Sequence, residues 1–513
     1  MAAGPTSTAP LPLPLLLRLL LRLLPPLMLP ASASATASSP LPHPITKPLA
    51  FPYTGFDRFP AFYFGSRPEG LQDEEQLSVM AKYSLVGWGW EQGLGPGCET
   101  CNGWKAVGPL DRLHYCSSEQ RLSESATRFR SYLEWGPPSR DSNLTTSPPT
   151  DAATKPIFVY RNFVYSLHFY SIQRASYSRP ELFLRNGAGE VCLGRGNGSP
   201  FWNFTNPEAR AFFMEELVAQ AAMESGSNLV FFDSWDFPYC GLSNESSTWH
   251  GATGGTSCGT SVALSLEYLQ NEVQIMLEFL PLIANALNAK GKAPIFSMVN
   301  TLHGQGCLVD YRDVLRALSN SSWIRFYDGW LGVSLDNPAV HTGAQLLPGL
   351  IEETALGLPV LVHADPRVYP PKSAASAVSD GIGLGQRGRP AKSCDNPMVG
   401  QGVISQELLE IQLVAFLLAQ GNQTYFALSE GWTDAQQPRI DKQRPLKQWA
   451  WQPRYDVKYG APLGPAVVTN LSAMGGHSDD QLYTREFEHC TVSLAINAPL
   501  GNSSNASIVM KTT

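Results

Sequence analysis

Leu229-Val230-Phe231-Phe232-Asp233-Ser234-Trp235-Asp236-Phe237 is the stretch that decides the fold of this 513-residue chain. It opens as a short, wholly apolar run and stops on an acid. A continuous apolar run of this length suits a strand buried on both faces, as in a parallel sheet. Asp233 then stands where the strand leaves the core, the edge of a parallel α/β fold at which ligands bind. Taken alone, Asp233 reads equally well as a helix cap or an Asx turn.

The flanking sequence repeats the pattern. Apolar runs at Ala61–Gly65, Ser84–Trp90, Pro156–Tyr160, Ala293–Val299, Trp323–Tyr327, Pro359–His363 and Thr424–Leu428 predict seven more strands. Helical segments are expected between them, over 74–81, 118–132, 207–223, 262–289, 311–318, 339–356 and 405–419. Eight alternations with crossovers long enough for helices describe an α/β chain folded as a (β/α)8, or TIM, barrel. A doubly wound open sheet usually brings a glycine-rich phosphate loop after its first strand, and none follows here; Gly383-x-Gly385 has no strand before it. After Trp449 the chain turns rich in Trp, Tyr, Pro and Gly, and strand-like runs such as 484–489 and 491–495 predict a small C-terminal β appendage.

Only 16% of residues are charged, the net charge is −7, and there are 12 tryptophans. That balance leaves no basic footprint for nucleic acid and suits neutral ligands with apolar faces, such as sugars. Residues 1–37 read as a targeting segment, with a Leu-rich run followed by small residues, and 38–53 as a linker. Arg18 and Arg22 interrupt the apolar run, so an organelle transit peptide and an uncleaved anchor broken at Pro25-Pro26 remain alternatives to a secretory signal. The run is too broken for a comfortable membrane span, and no stable span is expected after processing. Nine Asn-x-Ser/Thr sequons favour the secretory pathway: Asn143, Asn197, Asn203, Asn244, Asn320, Asn422, Asn470, Asn502 and Asn505. Nine cysteines would then include disulfides, with a local frame involving Cys116 and a loop closed by Cys240 and Cys258 as candidates. The barrel is expected over 54–448 and the appendage over 449–513.

The chemistry gathers at the strand ends. Glu91, Arg161, Asn162, Asp233, Asp236, Asn300, Asp328, Asp365 and Glu430 each follow or end an apolar run. About half are expected to be caps and loop starters. Trp88, Trp90, Trp235, Trp330 and Trp432 lie beside these acids. Indole faces stack on the C–H faces of sugar rings while neighbouring acids accept hydroxyl hydrogen bonds. Glycosidic cleavage needs two facing carboxyl groups, one to protonate the leaving oxygen and one to attack or to activate water. Asp233 on strand four and Asp328 on strand six come from non-adjacent strands and are the favoured catalytic pair. Glu430 is the alternative acid; His363 with Asp365 is an alternative acid/base or metal pair; Arg161 would bind a carboxylated sugar or pair with an acid of the same rim. No HExxH, GxSxG or Cys/His constellation is present, and no cofactor or metal is expected.

The segments Asn206-Pro207-Glu208-Ala209-Arg210 and Phe231-Phe232-Asp233 resemble the motifs of a family of (β/α)8 glycoside hydrolases, distantly like the α-galactosidase-like clan. Glu430-Gly431-Trp432, Tyr455-Asp456, Gly460-Ala461-Pro462-Leu463-Gly464 and Arg485-Glu486-Phe487 are similar to the end of such proteins, so the resemblance runs from about Phe62 to Asn497. Members of that clan place the nucleophile after strand four and the acid/base after strand six, which implies those roles for Asp233 and Asp328. Amylase-like barrels carry an acid after strand five, where this chain has Asn300. The expected function is hydrolysis of O-glycosidic bonds in an oligo- or polysaccharide. The alternatives are a non-catalytic, lectin-like barrel that binds carbohydrate and, more weakly, a transglycosylase.

Overall fold

In a computed structural model, the described residues are 58–65, 71–89, 118–136, 154–167, 175–185, 200–233, 266–297, 310–330, 343–364, 406–428, 453–471, 481–497 and 502–511, less a few positions within these spans and with a few isolated ones between them. All belong to the unit His43–Thr513. Eight parallel strands run in sequence order: β1 Phe62–Gly65, β2 Leu85–Trp88, β3 Ile157–Asn162, β4 Leu229–Asp233, β5 Ala293–Ser297, β6 Ile324–Trp330, β7 Val360–Ala364 and β8 Thr424–Leu428. A parallel bridge from Ala61 to Phe426 joins the last strand to the first, with the Phe426 amide donating to Pro60 O at 3.0 Å. The chain is therefore a (β/α)8 barrel.

Helices α1 Glu74–Met80, α2 Ser118–Trp135, α3 over 207–223, α4 Leu266–Asn288, α5 Tyr311–Ala317, α6 Gly343–Ala355 and α7 Gln406–Ala419 fall between successive strands. Their starts are written in the sequence. Asp73 and Gln76 form a capping box at α1, with the Gln76 amide on Asp73 Oδ1 at 2.9 Å and the Asp73 amide on Gln76 Oε1 at 3.1 Å. Asn206 accepts the Glu208 amide at 2.9 Å with Pro207 in the first turn of α3, and Asp310 accepts the Arg312 amide at 2.8 Å at α5.

Ring contacts define the barrel interior. Phe64 of β1 meets Phe158 of β3, Phe231 of β4 and Phe326 of β6 at centroid distances of 5.2, 5.4 and 5.6 Å. Strands that share no hydrogen bonds touch in this way only across the inside of a closed sheet. Gly87 of β2 faces the same space, because a Cβ there would fall 2.1 Å from the Phe158 ring. Alternate residues point outward to the helices: Phe232 to Phe213 of α3, and Phe426 to Phe416 of α7, at 6.2 and 4.9 Å.

The C-terminal appendage is an antiparallel sheet of four strands in order: β9 Val467–Asn470, β10 Gln481–Glu486, β11 Cys490–Asn497 and β12 Asn502–Met510. Arg485 fastens it to the barrel. Its Nη1 donates to the carbonyls of Leu417, Leu418 and Gln420 at 3.1, 3.1 and 2.7 Å, at the C-terminal end of α7, and its Nε donates to Gly464 O at 2.9 Å. A cation on the last carbonyls of a helix satisfies groups without an intrahelical partner and opposes the negative end of the dipole.

Candidate active site

Asp233 is the last residue of β4 and lies in register with Asn162, the last residue of β3. Counting in twos from Phe231, Asp233 belongs to the inward-facing set, at the C-terminal end of the barrel. Its side chain is half-buried. Tyr160 donates its hydroxyl to Asp233 Oδ2 at 2.6 Å and accepts a bond from Asn162 Nδ2 at 2.8 Å. Asn162 is held in turn, because its Oδ1 accepts the amides of Val164 and Tyr165 at 2.9 and 2.6 Å. Backbone amides thus fix Asn162, Asn162 fixes Tyr160, and Tyr160 fixes the carboxylate.

The electrostatics follow from this chain of bonds. Burial first, then the adjacent Asp233 carboxylate, hold the Tyr160 hydroxyl well above the usual phenol range, so it remains a donor. The same two causes, in the same order, raise Tyr165. A short bond from a buried hydroxyl fixes the orientation of the carboxylate that accepts it, and a carboxylate so placed can take a proton or attack a bound substrate.

Other inward positions complete the wall below the mouth. His363 of β7 stacks on Phe326 at 5.8 Å and meets Phe64 edge-on at 5.6 Å. It is a buried wall residue, and Asp365, its suggested partner, lies outside the described residues. Asp328 and Trp330 lie within β6, in the segment where the register with β7 shifts between Tyr327 and Trp330. Their side chains are outside the described residues, as are Trp90, Glu91, Trp235, Asp236, Asn300, Glu430 and Trp432 altogether. Among the described residues no group of His, Cys, Asp and Glu is arranged to hold a metal ion, and no helix is long and apolar enough to cross a membrane. Of the cysteines and sequons, Cys98, Cys101, Cys116, Cys240, Cys258, Cys307, Cys394, Asn143, Asn197 and Asn244 lie outside the described residues.

Two expectations need correction. Arg161 does not reach the mouth. It alternates with Tyr160 and Asn162, so it points outward, where it is 1% exposed, ion-paired with Glu224 beyond α3, and set over the Tyr170 ring at 5.5 Å. Trp88 also faces outward, fully buried and edge-on to Phe129 of α2 at 6.1 Å, so it offers no face to a ligand. Tyr160 and Tyr165 were not anticipated. The signal for Tyr160 was available: it precedes Asn162 by two, and residues two apart on a strand share a face.

No family model matches the chain, and no curated protein matches it. Solved structures to which it is similar include a maltogenic α-amylase, AmyB, from Thermotoga neapolitana, 10% identical, with 85% of each chain covered and a TM-score of 0.39. An α-amylase from Lactobacillus plantarum is 8% identical over 86% of this chain and 88% of its own, with a TM-score of 0.40. The glycoside hydrolase domain of PelA from Pseudomonas aeruginosa is 13% identical over 60% of this chain and 84% of its own, with a TM-score of 0.29. No residue correspondence follows from likenesses of this order; the fold stands on the strand order and ring closure of the chain itself, which is a (β/α)8 barrel with an antiparallel appendage.

Proposed function

We propose that this barrel hydrolyses O-glycosidic bonds of an oligo- or polysaccharide, with Asp233 as the ionised carboxylate and Asp328 as the proton donor. The observation that carries the reading is the bond from Tyr160 to Asp233 at 2.6 Å, at the C-terminal end of an inward-facing strand position. In barrels of this kind, chemistry is built at that end from residues of several strands. A carboxylate fixed there by a buried donor is preorganised, and the second carboxyl group would come from β6, two strands away. The low charge and abundant tryptophan of the chain support a sugar as ligand.

In the forward step Asp233 attacks the anomeric carbon or takes a proton from the attacking water, while Asp328 protonates the departing oxygen. Tyr160 holds the Asp233 rotamer throughout. The test is turnover on a panel of polysaccharides and aryl glycosides, with wild type, Asp233→Asn and Asp328→Asn compared by release of reducing ends. Loss of at least about a hundredfold in both variants, with unchanged circular dichroism, is expected. Wild-type turnover in Asp233→Asn removes that residue from the reaction. Sugar binding by calorimetry with no product from the wild-type protein identifies the barrel as a carbohydrate-binding module instead.

A further inference from the structure

The positions of the sequons in the fold have a consequence separate from the active site. Asn320 follows α5 on the way to β6, and Asn422 lies in the turn between α7 and β8; both are exposed. Helix-to-strand connections enter a barrel at the N-terminal ends of its strands. These two asparagines therefore lie on the face opposite Asp233, where residues serve stability rather than chemistry. Asn470 is also exposed and ends β9, one edge strand of the appendage. Asn502 and Asn505 lie within β12, the other edge strand.

Those edges carry apolar surface. Val467 and Val468 on β9 are 58% and 50% exposed, and Val509 on β12 is 62% exposed. An edge strand with exposed apolar residues is a template for pairing with another chain, and natural sheets blunt such edges. A bulky, hydrated group on the edge would do so. Asn203 differs from the exposed three in burial: it is half-buried, in a segment whose backbone is paired, its own main-chain N–H donating to Leu182 O at 2.9 Å. A sugar there has less open solvent to enter than at the three exposed sites.

We infer that the protein passes through the secretory pathway and carries N-linked glycans at Asn320, Asn422 and Asn470. These would clothe the N-terminal face of the barrel and one edge of the appendage and leave the Asp233 face bare. The asparagine side-chain nitrogen displaces the lipid-linked pyrophosphate of an oligosaccharide donor, forming one N–glycosidic bond and losing one proton. The inference does not depend on the hydrolase reading, and either can fail alone.

The test uses the full chain with its own N-terminal segment in a eukaryotic secretory host. Protein from the medium is treated with peptide:N-glycosidase in heavy-oxygen water, and occupancy is read at each site by peptide mass spectrometry. Heavy-labelled aspartate at 320, 422 and 470, with unmodified Asn203, is the expected result. A chain held in the cytosol, bare asparagines at 320 and 422, or a glycan at 203 overturns it. Deglycosylation of the folded product is further expected to increase self-association in sedimentation; an unchanged profile removes the edge-guarding role.

Discussion

A buried phenol that donates to a carboxylate fixes where that carboxylate points, and Tyr160 does this to Asp233 from a position itself fixed by Asn162. Tyr160→Phe removes the donor and leaves the ring packed against Phe231, which it meets at 5.6 Å. Turnover on a cleavable glycoside is then expected to fall by about tenfold or more with circular dichroism unchanged, because the carboxylate loses the bond that orients it. Wild-type turnover in this variant would show that the hydroxyl does not position the carboxylate. The same few residues show where the sequence was legible. The acid at the end of β4 was plain, because an apolar run broke on it. The inside–outside assignment at Arg161 and Trp88 was not, because strands buried on both faces lack the alternation that would reveal it. A polar residue at a strand end then reads as facing a ligand whichever side it faces.

Elements are locked to one another by groups that the sequence did not mark. Arg325 of β6 pairs with Glu353 of α6 at 3.1 Å, both fully buried, and its guanidinium lies between the rings of Tyr311 and Tyr327 at 4.0 and 3.9 Å. Tyr327 donates to both Glu353 oxygens at 2.8 and 2.9 Å. Removing one partner leaves a buried charge uncompensated, so Glu353→Ala is expected to cost about 3–5 kcal/mol. Replacing both, Arg325→Met with Glu353→Leu, should recover most of that loss in urea unfolding. Equal destabilisation of the single and double variants would contradict the pairing. Within the barrel, Gly87→Val drives a side chain into the Phe158 ring, where even a Cβ has only 2.1 Å. Overpacking of this kind is expected to cost roughly 1–3 kcal/mol or more, seen as a lower thermal midpoint. Strand and helix order was legible because each element is long enough to state its own pattern. Buried ion pairs were not, since their partners lie far apart in the chain and follow no spacing rule.

At the scale of the whole molecule, the appendage and the barrel meet through Arg485 on the end of α7. Arg485→Met keeps the apolar stem and loses these charged bonds, at an expected cost of about 1.5–3 kcal/mol. Hydrogen exchange should then quicken across 481–497 before it does in the barrel strands; uniform exchange would mean that the two parts unfold as one regardless of Arg485. Part of the appendage was hidden in the sequence for a physical reason. β12 is made of Asn, Ser and Ala for much of its length, residues of low strand propensity, and its order comes from pairing with β11 from Cys490 to Asn497. The proposed hydrolysis rests on bringing residues from β4 and β6 to one mouth. The most direct measurement is the separation of the Asp233 and Asp328 carboxyl oxygens in a crystal structure of the wild-type protein. About 5–5.5 Å, for retention, or roughly 6.5–9.5 Å, for inversion, is expected of a working pair; carboxyl groups well beyond that range, or Asp328 turned to the helices, would contradict the proposed chemistry.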